Sequence, residues 1–316
     1  MAEQNTIAII WDFDKTLING YMQEPIFKKF NVNASAFWAE VNSLPSRYAE
    51  KGVRVNSDTI YLNHMITCVR QGLFPGLNNE MLKELGAQLT FYPGVIDIFK
   101  DLKSKILNNS MFQQYGIHVE HYIVSTGLTA MIQGTPIIEY VEKNGIWGCE
   151  FIEKPIQSKL VEHMSENDEG YIRQIGYIID NTSKTRAIFE INKGANKHSY
   201  IDVNSKMEKK DRRVPFENMI YIADGPSDVP VFSILQQYGG KTFAVYPKGD
   251  MKAFSQVDNL RRDGRIDMYA EADYSEGTTA YMWLMKQVEK IATGIYEKKE
   301  DELKRAVSQA PTHIIN

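Results

Sequence analysis

The chain is most tightly constrained where an uninterrupted apolar run, Ile7-Ala8-Ile9-Ile10-Trp11, stops at Asp12-Phe13-Asp14-Lys15-Thr16. A short apolar run bounded by polar residues reads as a strand buried on both faces, as in a parallel sheet. Open α/β sheets bind their ligands just outside the carboxyl ends of such strands. Asp12 and Asp14 therefore fall where chemistry is expected. A second run, Met219-Ile220-Tyr221-Ile222-Ala223, ends in Asp224-Gly225-Pro226-Ser227-Asp228. Residues two apart on a regular strand point the same way. A chain that turns after Asp12 instead lets Asp12 and Asp14 converge from different directions. Either acidic pair alone reads equally well as a turn or a helix cap. Two such strand ends meeting in space require a cation or a shared proton, because crowded buried carboxylates are otherwise too costly.

The donor types select the cation. Carboxylate, carbonyl and water oxygens suit Mg²⁺, and the six histidines and two cysteines show no ligand spacing for a softer metal. A carboxylate beside Mg²⁺ is a competent nucleophile towards phosphorus. A second one close by can protonate the leaving oxygen and then activate water. The residue pattern thus points to metal-assisted phosphoryl chemistry.

At 316 residues, 43% hydrophobic and 24% charged, the chain is long enough for one large domain and a smaller one. A net charge of -4 gives no global attraction to nucleic acid or to an anionic membrane. The most basic run, Lys206 to Arg213, lacks aromatic interleaving and reads as a solvated loop. No signal peptide is visible, and two cysteines make no disulfide framework, so a cytoplasmic location is expected.

Between Met22 and Glu84, repeated short apolar periodicities predict a mostly helical module. Pro93 and Gly94 punctuate the return to the main domain. Ile98, Leu102 and Ile106 mark an amphipathic helix over 96–107. Residues 120–124 predict a strand ending in Ser125-Thr126-Gly127, with a helix opening at Thr129. The span from Cys149 to Glu190 reads as an extended hairpin excursion. Phe243 to Tyr246 predicts another buried strand and Thr278 to Ile291 a helix.

With these residues in place, the chain resembles the haloacid-dehalogenase-like hydrolase superfamily, whose first motif is Asp-x-Asp-x-Thr after a hydrophobic strand. The resemblance spans residues 7 to about 246. It implies an α/β fold: a Rossmann-like parallel sheet flanked by helices, with a core of 1–19 and 89–316 and a helical cap of 20–88. It makes Asp12 the nucleophile and a metal ligand, and Asp14 the general acid/base that lends a carbonyl to the metal. Ser125 matches the phosphate-binding second motif. Asp224 and Asp228 match the metal-binding fourth, with Ala223 where many members have Gly. For the phosphate-binding lysine, two candidates precede the fourth motif, Lys193 and Lys197. Family members commonly place it directly before a Gly and a helix start, which favours Lys193. Cap residues from which specificity contacts are expected include Phe30, Phe37, Trp38, Arg47, Tyr48, Arg54 and Arg70. Relatives specific for phosphoserine place a Glu shortly after the first motif. Here Tyr21 occupies that neighbourhood and Glu24 comes later, so serine specificity is not supported.

The implied activity is Mg²⁺-dependent hydrolysis of a small phosphorylated metabolite through an aspartyl-phosphate, with neither nucleic acid nor membrane as partner. Two alternatives use the same residues. One is a phosphotransferase or mutase of the superfamily, and the other a non-catalytic metal- or phosphate-binding protein.

Overall fold

The computed structural model describes residues 3–156, 159 and 170–308. Among these, seven strands form one sheet: β1 (Thr6–Trp11), β2 (His118–Leu128), β3 (Val141–Ile152), β4 (Gln174–Tyr177), β5 (Met219–Ala223), β6 (Lys241–Tyr246) and β7 (Met268–Glu271). The spatial order is β4-β3-β2-β1-β5-β6-β7. All neighbours run parallel except β4, which lies antiparallel on β3 at the edge. Every residue of β1 and β5 is buried, as their unbroken apolar sequences require of central parallel strands.

The helices are α1 (Glu24–Phe30), α2 (Ala34–Ala49), α3 (Ile60–Arg70), α4 (Asn79–Gly86), α5 (Val95–Leu107), α6 (Ser110–Gln113), α7 (Thr129–Gln133), α8 (Lys184–Lys193), α9 (Val229–Gln237), α10 (Met251–Arg262) and α11 (Thr279–Ser308). Among the described residues no helix is long and apolar enough to cross a membrane.

Strands β2, β3 and β4 fill one side of β1. The chain then crosses back to place β5, β6 and β7 on the other. That reversal opens a crevice at the carboxyl ends of β1 and β5, the usual ligand position in open α/β sheets. The register pairs Trp11 with Ile222, and the Asp12 amide donates to the Ile222 carbonyl at 2.8 Å. Asp12 and Asp224 consequently leave the sheet side by side.

Beneath Asp12 the floor is aromatic. The Trp11 ring stacks on Phe99 at 4.8 Å and meets the edge of Tyr274 at 5.7 Å. Its indole N–H donates to Nδ1 of the fully buried His121 at 3.2 Å, and His121 Nε2 lies 2.9 Å from the Phe99 carbonyl. Indole only donates, so the imidazole proton must sit on Nε2. Burial holds this histidine neutral, lowering its pKa to about 3.

Helices α1 to α4 form the inserted, mostly helical region. Asn33 and Asn78 cap α2 and α4 by accepting from the Ala36 and Met81 amides, both at 2.8 Å. Phe27, Phe37 and Phe74 pack into its core, with Phe27 and Phe37 centroids 4.9 Å apart. Helix α4 meets α7 backbone to backbone. A Cβ on Gly86 would sit 1.9 Å from the Met131 carbonyl oxygen, and one on Gly134 just past α7 would sit 1.8 Å from that of Lys83. No other residue permits that approach.

The excursion from Cys149 to Glu190 differs from its reading as extended structure. β3 and β4 do pair as an antiparallel arm, but Lys184 to Glu190 is helical within α8, burying Ala187, Ile188 and Ile191 at helical spacing. Residues 157–158 and 160–169 of that span lie outside the described ones.

Replacing a helical Gly by Ala normally gains about 0.8–1 kcal/mol. Gly86→Ala should instead lose roughly 1–3 kcal/mol through overpacking, seen as a lower urea midpoint at unchanged slope. A midpoint at or above wild type would show that α4 and α7 need not touch.

Candidate active site

Where β1 ends, the backbone turns sharply: Lys15 adopts a left-handed φ of 57°, and its amide donates to the Gly20 carbonyl at 3.0 Å. The turn sends Asp14 away from the direction of Asp12. Asp12 is 5% exposed and fully engaged. Its Oδ1 accepts from the Lys184 ammonium at 2.8 Å, and its Oδ2 from the Thr16 hydroxyl at 3.1 Å. The same ammonium donates to Asp228 Oδ1 at 2.7 Å. Asp228 is completely buried and also accepts from the Tyr221 and Ser227 hydroxyls. One cation thus ties the end of β1, the turn after β5 and the start of α8.

Asp224 has no hydrogen-bond donor among the described residues, which leaves its carboxylate free. Asp12, Asp224 and Asp228 each offer an oxygen, and the three lie within 4.8 Å of one another. Asp14 accepts from the Met22 amide at 2.9 Å. Four carboxyls therefore share the buried Lys184 ammonium, with the more exposed Lys15 acting on Asp14 and Asp224, and their proton affinities register the deficit. Burial, followed by the neighbouring carboxylates, pushes Asp14 up to about 8 and Asp224 to about 7. Burial raises Asp12 to about 6 even though Lys184 pulls it down. Burial works against the Lys184 charge, yet Asp12 and Asp228 hold its pKa above the ordinary value. A hard divalent cation fits this all-oxygen set and supplies the missing positive charge.

Ser125 lies near the end of β2, two residues beyond Ile123, the partner of Trp11. It is buried, and its Oγ accepts from the Gly127 amide at 3.0 Å, so the hydroxyl proton remains available. Met22 joins this strand end to Asp14, because its sulfur accepts from the Leu128 amide at 3.0 Å. Tyr61 from α3 donates to the Thr126 carbonyl at 2.8 Å.

The structure keeps both expected lysines away from the carboxylates. Lys193 is the last residue of α8, and its ammonium donates to the Val203 and Ser205 carbonyls. Lys197 pairs with Glu142 at 2.9 Å. Neither contacts the carboxylates; Lys184, at the opposite end of α8, does. Gly194, with φ 81°, is the left-handed cap that stops this helix rather than one that precedes a helix. A signal for Lys184 was present in Asp180-Asn181-Thr182-Ser183, a cluster of capping residues before an apolar repeat. Asp180 Oδ1 accepts from the Thr182 and Ser183 amides at 3.1 and 2.7 Å, which sets the start of α8.

The inserted region reaches that same start, since Asn56 donates to Asp180 Oδ2 at 3.1 Å. Of the expected specificity residues, Phe30, Phe37 and Trp38 pack in its aromatic core. Arg47 faces Glu40 at 3.7 Å, and Arg70 donates to the Arg173 carbonyl.

No protein-family model matches the chain. A protein of Borreliella burgdorferi, itself uncharacterised, is 40% identical over 294 residues, covering 90% of this chain and 97% of that one. Two solved structures overlap it more loosely. A phosphoserine phosphohydrolase-like protein of Francisella tularensis is 19% identical, covers 84% of this chain and 94% of its own, and has a TM-score of 0.43. A haloacid dehalogenase-like hydrolase of Streptococcus pneumoniae is 16% identical, with coverages of 84% and 94% and a TM-score of 0.39.

A metal held by these carboxylates would compete with protons, and the linkage has a definite sign. With its folded pKa raised from 3.8 to about 7, ionised Asp224 costs stability that appears as pH rises through that interval. Without divalent cation, Asp224→Asn should melt higher than wild type at pH 8, and the gap should close by pH 4. Saturating Mg²⁺ should reverse the order at pH 8. An unchanged melting difference across that range would refute the crowding.

Proposed function

The chain belongs to one family with the Borreliella protein, and we infer from its fold and the convergence of its motifs that this family lies in the haloacid-dehalogenase-like superfamily. On that footing we propose that it is a Mg²⁺-dependent phosphatase acting on the phosphate monoester of a small metabolite. The observation that carries this reading is the meeting of Asp12, Asp224 and Asp228 around Lys184, with Asp14 alongside.

Asp12, Asp224 and Asp228, with the Asp14 carbonyl, would hold Mg²⁺, which when bound neutralises the substrate phosphate and aligns its oxygens. Asp12 is the nucleophile. Thr16 and Lys184 grip its two oxygens from opposite sides, fixing the carboxylate for in-line attack on phosphorus. The P–O bond to the substrate breaks as the bond to Asp12 forms. Asp14 gives its proton to the departing oxygen; its raised pKa keeps a proton available near neutrality. Asp14 then takes a proton from the water that hydrolyses the aspartyl-phosphate. Ser125 donates its unused hydroxyl proton to a phosphate oxygen, and Lys184 balances the charge gathering there.

Residues 20–88 serve in this reading as a cap over a core of 1–19 and 89–316. Tyr61 and Met22 attach it to the strand end that carries Ser125. A cover of this kind excludes water and gives the substrate its specific contacts.

Chelation should abolish turnover of a chromogenic phosphate ester, and Mg²⁺ should restore it. Asp12→Asn should leave neither turnover nor trapped phosphoenzyme. Asp14→Asn should cut kcat by roughly 10²–10⁴-fold, the usual worth of acid–base catalysis. Phosphate trapped on another residue, or full activity in metal-free protein, would overturn the assignment.

The lysines separate just as cleanly. Lys184→Ala should lower kcat/KM by at least roughly 10²-fold, as for other losses of transition-state charge stabilisation. Lys193→Ala should stay close to wild type in a protein confirmed folded by circular dichroism. The opposite ranking would return the role to Lys193.

A further inference from the structure

The basic run singled out in the sequence borders a cavity of about 830 Å³ at the other end of the sheet from the carboxylates. Gln4, Asn218 and Lys241 mark the site as lying where β1, β5 and β6 begin. Lys209, Lys210 and Arg212 face it from the loop, and Lys241 from β6. Helix α11 adds Lys290, Lys298 and Lys299, against two acids, Glu217 and Glu302. Seven cations facing two anions make this a concentrated positive field on a chain of net charge -4.

Some of that charge is already partnered. Lys210 reaches Glu208 at 2.9 Å, Lys241 reaches Asp267 at 3.9 Å, and Lys299 reaches Glu302 at 4.0 Å. Lys298 donates to the Gln4 side chain at 3.1 Å. Lys209 and Lys290 have no partner for their ammonium groups among the described residues. The Arg212 guanidinium lies over the Phe216 ring at 5.6 Å, and its Nε is buried without a hydrogen-bond acceptor. A buried donor left unpaired is the kind of group that an incoming anion satisfies.

The aromatic complement absent from the basic run itself is supplied in space. Tyr238 stacks on Phe216 with centroids 4.9 Å apart and planes 21° apart, and it remains 45% exposed. In α11, Gly294 sits one turn from Lys290 and one from Lys298. A Cβ there would meet nothing within 4 Å, so the helix leaves the cavity floor open. The volume lies in the range of small-molecule sites, roughly 300–1,000 Å³.

We propose that this cavity binds a nucleoside phosphate, with its phosphates on Lys209, Arg212 and Lys290 and its base on Tyr238. The unpartnered cations call for a multiply charged anion, and the exposed ring calls for a flat aromatic group on the same molecule. A single partly open cavity of this volume suits one such molecule rather than a strand tracked along a groove.

Calorimetric titration of ADP into the full chain in EDTA tests this away from the metal-dependent centre. One saturable site is expected. Its affinity should fall at least roughly tenfold in the Lys209→Glu/Lys290→Glu double variant, which reverses two phosphate contacts, and comparably in Gly294→Leu, which fills the floor. Tyr238→Ala should weaken ADP by roughly tenfold, the scale of one base stack, while leaving pyrophosphate unchanged. All variants should keep Mg²⁺-dependent ester turnover within about twofold of wild type, which also certifies their folding. Absent ADP binding, or binding indifferent to both the lysine variant and Gly294→Leu, would overturn the proposal. Pyrophosphate binding as tightly as ADP would reduce the cavity to an anion site and refute the nucleoside. A twelve-residue oligothymidylate outcompeting ADP for the same lysines would make it a nucleic-acid surface instead.

Discussion

The site rests on one ammonium group. Lys184 is 2% exposed and shared between Asp12 and Asp228. The three members of this contact come from the end of β1, the turn after β5 and the start of α8, segments far apart in sequence. Buried ion pairs contribute little net stability, because desolvation offsets most of the attraction. Removing one member, by contrast, strands the others as uncompensated charges. The triad is therefore better understood as a positional lock than as a source of stability. It also stops short of neutrality, since Lys184 and the more exposed Lys15 serve four carboxyls. That shortfall is what a hard cation would make up in the proposed reading.

Much of this could be read from the sequence, and the exceptions have physical causes. β1 and β5 were legible because central parallel strands are buried on both faces and show as unbroken apolar runs. Asp12, Asp14, Asp224 and Asp228 followed from where those runs stop. The α5 stripe was legible from helical periodicity. Lys184 was not, because its helix follows a polar excursion and the span up to Glu190 reads as extended in sequence. A glycine can precede a helix or stop one, and Gly194 stops α8; that inversion moved the expected lysine nine residues, about 13 Å along the axis at 1.5 Å per residue. The basic run illustrates a different limit. Its aromatic neighbours, Phe216 and Tyr238, are supplied by folding and are not interleaved with the charges.

The inserted helices are attached on two sides. Near Ser125 the joints are buried and specific: Tyr61 to the Thr126 carbonyl, Met22 to the Leu128 amide, and the glycine contact between α4 and α7. Towards the β3–β4 arm the joints are mixed: Asn56 to Asp180 and Arg70 to the Arg173 carbonyl are exposed polar bonds, whereas the Ile172 amide donates to the Leu77 carbonyl at 2.9 Å between two buried residues and the Asn79 side chain donates to the Phe151 carbonyl at 3.0 Å. Exposed bonds exchange with water at little net cost, whereas buried ones do not. The second set also touches Asp180, which accepts from the Thr182 and Ser183 amides just ahead of α8, so a displacement there is felt at the lysine.

The imidazole under Trp11 has a quieter role. With Nδ1 accepting from the indole and Nε2 facing a carbonyl, His121 has one tautomer compatible with its surroundings. A second proton would set two N–H groups against each other in the most tightly packed layer of the sheet. The residue that titrates nearest neutrality in free solution is thereby made electrically silent. Acidification thus reaches Asp12 from above, through the carboxyls that surround it, while the platform beneath it keeps its shape.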